Sequence, residues 1–150
     1  MARRMIEKSE IWFRGKSSAT KEWIEGYFLK KKFYRSDAAL CSYISIPHPG
    51  LNRRPSDDIL VIFETVGQYT GTPDKNKNKI FECDIVKAFK NNEEPFVAVV
   101  TKRNGCFWFG NWNWCEFLDK FRNYEVIGNV FDNPELLKGG SEYVEENEDG

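Results

Sequence analysis

A chain of 150 residues with 41% hydrophobic and 15% aromatic side chains can bury a core of its own, as one domain or as two small β modules. Its formal net charge of -1 excludes a whole-molecule field that would draw it to nucleic acid or membrane. No apolar run approaches the ~18 residues of a membrane span, and the basic start lacks the apolar centre of a signal peptide, so the cytoplasm is the expected compartment.

In chain order, Ile11 to Arg14 and Trp23 to Lys31 read as two strands, rich in aromatic and β-branched residues and joined by a Gly-Lys-Ser-Ser-Ala-Thr turn region. A third strand is predicted from Ala39 to Ile46. Pro47, His48, Pro49, Gly50 and Pro55 then break regular structure, because prolines cannot sit inside a ladder. Ile59 to Thr65 resumes as a strand, and the Thr-Gly-Thr-Pro-Asp-Lys-Asn segment reads as a loop with Pro73 at the second position of a type I turn.

The remaining chain reads as a small barrel. Strands are predicted over Ile85 to Phe89, Phe96 to Thr101 and Cys106 to Phe109, the last two closed by Asn104-Gly105, the strongest short hairpin signal. A two-residue turn there sets Arg103 opposite Cys106, Lys102 opposite Phe107, Thr101 opposite Trp108 and Val100 opposite Phe109. Beyond Gly110 two readings compete. Gly110-Asn111 can turn a further hairpin that brings Trp112 and Trp114 beside Phe109 and Phe107. Against it, Trp114, Phe117, Leu118 and Phe121 fall at helical spacing, with Asn113 and Glu116 forming an N-x-x-E start; the short helix is the favoured reading. Glu125 to Phe131 gives a last strand, and Asn133-Pro134 starts a final helical turn. The expected organisation is an N-terminal β region over 1–65, the barrel over 66–137, and an acidic tail over 138–150 that is expected to be disordered.

Charge is distributed unevenly. Residues 1 to 35 carry ten basic groups against four acidic ones, and residues 134 to 150 carry Lys138 against six acidic groups. A polyanion-binding end and a solubilising tail would look like this, as would lysines that blunt strand edges. Asp74, Asn76 and Asn78 match the first ligands of an EF-hand loop, but Lys79 stands where Gly is needed and Ile85 where a bidentate Glu is needed, so calcium is rejected. What remains of that loop is phosphate contact by Lys75, Lys77 and Lys79, or plain solvation. Phe107, Trp108, Phe109, Trp112 and Trp114 offer a base-stacking platform or core filling, with Trp108 and Trp112 the most spare. Glu82 and Asp84 would share a face as a carboxylate pair if a strand ran through them, but their position just before Ile85 favours a solvated turn. His48 is the sole histidine, and Cys41, Cys83, Cys106 and Cys115 lack any Cys-x-x-Cys, so four free thiols and no metal or cofactor are expected. No catalytic motif is present.

The run from Thr65 to Val86 (Thr-Val-Gly-Gln-Tyr-Thr-Gly-Thr-Pro-Asp-Lys-Asn-Lys-Asn-Lys-Ile-Phe-Glu-Cys-Asp-Ile-Val) resembles the signature of the YopX family of phage and prophage proteins. Phe13 to Lys16, Glu22 to Ile24, Gly26-Tyr27 and the run Tyr124 to Leu137 extend the likeness over most of the chain. The resemblance implies a phage-borne, mainly β protein with an SH3-like barrel in a bacterial host, and no particular activity. Lys77 and Cys83 depart from it where the family has Gly, which predicts an altered or modestly strained loop. Trp23, Gly26, Tyr27, Gly67, Tyr69 and Gly71 match the family wording. They read as architecture: Gly67 and Gly71 supply backbone angles where a strand ends, Tyr69 packs on the barrel, and Trp23 and Tyr27 share one face of the N-terminal core.

Functionally, the leading expectation is a non-enzymatic accessory module that binds protein, itself included. The alternative is nucleic-acid binding, with Arg14, Lys30, Lys31 and Lys32 on phosphates, Lys102 and Arg103 beside them, and Trp108 or Trp112 stacking on bases. An enzyme ranks last.

Overall fold

Alternating apolar and polar residues, dense in Val, Ile, Phe, Tyr and Trp, drive most of the chain into strands. The structure, a computed structural model, describes residues 11–32, 40–47 and 57–137. The acidic tail, His48, Ala39 and the basic residues Arg3, Arg4, Lys8 and Arg35 lie outside them. Among the described residues eleven strands form: β1 (Phe13–Lys16), β2 (Trp23–Lys32), β3 (Leu40–Ser45), β4 (Asp58–Leu60), β5 (Gly67–Pro73), β6 (Lys79–Phe81), β7 (Asp84–Phe89), β8 (Phe96–Arg103), β9 (Cys106–Phe109), β10 (Trp112–Asn113) and β11 (Asn123–Asn129). An α-helix, α1, spans Trp114–Lys120, and 3-10 turns occupy Phe63–Thr65 and Pro134–Leu137. The chain divides into two units, Met1–Gly71 and Thr72–Gly150.

In the first unit β4, β3, β2, β1 and β5 lie side by side in an antiparallel sheet. Gly26 is glycine for a steric reason: a Cβ there would fall inside the van der Waals envelope of the Ser45 carbonyl oxygen. The expected strand from Ile59 to Thr65 stops at Leu60. Val61 makes an isolated bridge to Ser17, and the chain then coils because the Thr65 hydroxyl donates to the Ile62 carbonyl at 2.6 Å while accepting the Lys16 N–H at 2.9 Å. A side chain that satisfies the local backbone removes the incentive to continue the ladder.

The second unit holds an open antiparallel sheet in the order β10-β9-β8-β7-β11. The expected closed, SH3-like barrel is therefore corrected to a sheet with two edges. The hairpin over Asn104-Gly105 has the expected register, with both turn residues at positive φ (51° and 81°). Both readings of the segment after Gly110 contribute: Trp112 pairs with Phe109 across a two-residue β10, and α1 follows at once. Asn113 caps α1, its side chain accepting the Glu116 N–H at 2.9 Å. The helix sets Phe117 and Phe121 into a cluster with Val86, Ala88, Ala98, Val100 and Phe109, and these rings fill the face over which a barrel would have to curl.

Turn chemistry accounts for the loops. Gly71 has φ 90° inside β5, and Pro73 ends that strand instead of occupying the second position of a type I turn. The turn belongs to Asp74, whose carboxylate accepts the N–H groups of Asn76 and Asn78. Lys77 and Cys83, the two positions that depart from glycine, sit at φ 70° and 73°, so the loop keeps the left-handed geometry with side chains attached. Asp84 is not a solvated turn residue. It is 1% exposed and accepts the Phe81 N–H at 2.7 Å. In β11 a bulge between Val126 and Gly128 shifts the pairing with β7.

Candidate functional site

β1, of four residues, and β2, of ten, are rich in large side chains, and their register decides which of those share a face. Arg14 lies opposite Glu25, and Lys16 lies opposite Trp23. Directly paired residues project to the same side, and alternation adds Trp12 and Tyr27 to that side. On β5, Gly67 lies opposite Arg14 and offers no side chain to crowd it, while the Tyr69 N–H donates to the Trp12 carbonyl at 2.7 Å and so sets Tyr69 beside Trp12.

The contacts on this face are specific. The Arg14 guanidinium carbon lies 4.4 Å from the centre of the Trp23 ring, and the Lys16 ammonium lies 5.3 Å from it. Such cation–π contact fixes a cation without removing its charge; Arg14 and Lys16 are both half-buried. Trp12 meets Tyr27 edge to face at 5.2 Å, and the Trp12 Nε1–H donates to the Glu25 carboxylate at 3.0 Å. Tyr27 remains 44% exposed, so it is not the core residue expected from its spacing with Trp23. Farther along β2, Lys31 reaches the same side, lies over Tyr43 and pairs with the nearly buried Asp58 at 2.7 Å.

The expected basic set is split by alternation. Arg14 and Lys31 join the aromatic face, whereas Lys30 and Lys32 point to the other side of β2, where Lys30 lies 4.6 Å over the Phe63 ring. Gly67 and Gly71 lie within β5 instead of at its exit. Trp12, Lys16 and Glu25 were not singled out from the sequence, although the alternation Trp12, Arg14, Lys16 against Phe13, Gly15 carried the signal.

In the second unit, Trp112 is not spare. Its ring meets Phe96, Phe109 and Phe121 at 5.1, 6.0 and 5.2 Å and belongs to the packed cluster. Trp108 lies under the Arg103 guanidinium at 4.3 Å with its Nε1–H buried, and Lys102 lies 5.7 Å from Phe107. A cavity of about 150 Å³ is lined by Pro73, Asp74, Lys75, Arg122, Asn123 and Tyr124. Its charged groups are already engaged: Asp74 by three backbone N–H groups, Lys75 by Glu125 at 3.4 Å, Arg122 by Asn91 at 3.2 Å. Burial pushes the Tyr124 hydroxyl above its ordinary value. Of the cysteines, Cys106 and Cys115 are exposed, Cys41 and Cys83 half-buried, and all four are free thiols. Among the described residues no group of three or more His, Cys, Asp and Glu is placed to hold a metal ion, and no helix is long and apolar enough to cross a membrane.

Comparison with known proteins adds the following. The family model described as YopX protein matches residues 2–138. The crystal structure of protein EF1440 from Enterococcus faecalis is similar in fold, with a TM-score of 0.54 at 24% sequence identity, over 87% of this chain and 100% of that one. Among curated proteins none matches the sequence.

Proposed function

The chain belongs to the YopX family, and from that premise we propose that it is a non-enzymatic accessory module of phage or prophage origin, active in the cytoplasm of a bacterial host, whose contact surface is the aromatic–basic face of its N-terminal sheet. The observation that carries this reading is the Trp23 ring with Arg14 and Lys16 upon it, next to the exposed Tyr27. Trp, Tyr and Arg are the residues that dominate binding energy where proteins meet ligands, because they give large contact area at low cost in side-chain entropy. Such a cluster on a sheet face serves contact better than it serves the interior. A partner protein or a second copy of the chain would engage it in the same way.

The test is capture from nuclease-treated host and phage lysates by the wild-type protein, compared with Tyr27→Ala and Trp12→Ala variants whose melting is unchanged, together with light scattering for self-association. Face-dependent capture or face-dependent dimerisation supports the reading. Capture that both variants retain in full removes it, as does a monomeric protein that captures nothing and binds no other ligand through this face.

A further inference from the structure

We propose that the ligand of this face is a single-stranded nucleic acid, a base stacking on the exposed Tyr27 ring beside Trp12 and phosphates meeting Arg14 and Lys16. The inference rests on the contact surface proposed above and names its occupant.

Charge is the first argument. The net charge of -1 conceals two opposite units: residues 1–71 hold twelve Lys and Arg against eight Asp and Glu, a net +4, while residues 72–150 hold ten against fifteen, a net -5. The aromatic face belongs to the positive unit. Polyanion attraction is therefore local to the unit that carries the rings, and the neutral total says nothing against it.

Geometry is the second. Arg14 and Lys16 are two residues apart on β1, and Trp23, Glu25 and Tyr27 alternate with the same step on β2, so cations and rings lie in adjacent rows on one side of the sheet. Open sheets that bind single strands use this arrangement, with rings under the bases and cations along the backbone. The Trp23 ring keeps the Arg14 guanidinium in place at 4.4 Å, which reduces the ordering cost of a phosphate contact. Glu25 lies opposite Arg14 in the β2 row and accepts the Trp12 indole N–H at 3.0 Å. A duplex would present its stacked bases edge-on and leave the Tyr27 ring without a partner, so the geometry selects single strands.

The experiment is fluorescence anisotropy with labelled oligo-dT, oligo-rU and a mixed-sequence duplex, using the full chain. Oligo-dT or oligo-rU is expected to bind more tightly than the duplex. Two phosphate contacts predict a loss of about sevenfold between about 50 mM and about 200 mM salt. Tyr27→Ala is expected to weaken binding at least about fivefold, the lower end of one lost stacking contact, with melting unchanged. Lys32→Gln, on the opposite side of β2, is expected to lose less than about twofold, the part due to general attraction alone. Arg14→Gln is expected to flatten the salt dependence. If that variant melts early, Lys16→Gln provides the same readout. No binding by the wild-type protein, or binding that Tyr27→Ala leaves intact, overturns the proposal. Absent oligonucleotide binding with face-dependent capture of protein from nuclease-treated lysate, or with face-dependent dimerisation, overturns the nucleic acid and leaves the contact surface standing. Failure of all of these removes both.

Discussion

The Asp74 carboxylate accepts the backbone N–H of Val126 at 2.9 Å, joining a turn to a strand 52 residues later in the chain. The same side chain accepts the N–H groups of Asn76 and Asn78 at 2.8 and 2.9 Å. One 5%-exposed carboxylate thus serves three donors. Asp74→Ala strands all three, and we expect it to lower the unfolding free energy by about 3 kcal/mol, the range for uncompensated charge-assisted bonds. Urea denaturation measures this; a change under about 1 kcal/mol would mean that water substitutes for the carboxylate.

Acid should reveal the same residue. Burial alone would raise the Asp74 carboxyl, but the bonds from Val126, Asn78 and Asn76 outweigh it and hold it below the ordinary carboxylate value. A depressed folded-state value means that the unfolded chain takes up the proton first. The stability contributed is complete above the unfolded value of about 3.9 and is lost as pH falls through the lower folded one. Urea midpoints of the wild-type protein should decline below about pH 4, and Asp74→Asn should show a shallower decline over that window. Parallel curves would assign the acid lability elsewhere.

Lys77 is exposed and occupies the left-handed region at φ 70°. A side chain there costs about 1–2 kcal/mol that glycine avoids, partly offset by glycine's greater freedom when unfolded. Lys77→Gly is expected to stabilise the protein by about 0.5 kcal/mol, read as a rise in the midpoint of thermal unfolding. A fall would show that the lysine stem contributes packing that outweighs its backbone strain.

Neighbouring residues of β2 should separate scaffold from surface. Gly26→Ala drives a methyl group into the Ser45 carbonyl and toward the Ile44 side chain, and we expect a loss of about 3 kcal/mol in calorimetry, as for overpacked cores. Tyr27→Ala removes a ring that is 44% exposed and should cost less than about 1 kcal/mol. Equal losses at the two positions would return Tyr27 to the core.

Much of this architecture was legible wherever a local signal had only one solution. Asn104-Gly105 fixed the register of β8 and β9 to the residue because a two-residue turn leaves no slack, and Asn113 with Glu116 marked the start of α1. What escaped depended on partners distant in sequence. Asp84 lies two residues after Glu82 and just ahead of Ile85, where a solvated turn is the local reading, yet its pairing opposite Asn129 on β11 and its bond from Phe81 bury it. Closure of a barrel could not be told from an open sheet, because Phe117 and Phe121 are as suitable for lining a barrel as for covering a face. The candidate surface was half visible: Arg14 and Lys31 were named and Lys16 was not, and without the pairing of β1 to β2 the Trp23 and Tyr27 rings were placed in the interior and Lys30 and Lys32 on the same side as Arg14.

Helix α1 has seven residues, well short of the ~12–15 that an isolated helix needs to hold itself together in water. Its existence therefore depends on β9 and β10, against which Phe117 and Phe121 come to rest. That dependence has a direction in time: the sheet must be largely assembled before the helix has anything to gain by forming. Asn113→Ala, which removes the cap, should then cost about 1 kcal/mol and deliver nearly all of it as unfolding about fivefold faster, with refolding unchanged. The helix is the last part to arrive and the first to leave.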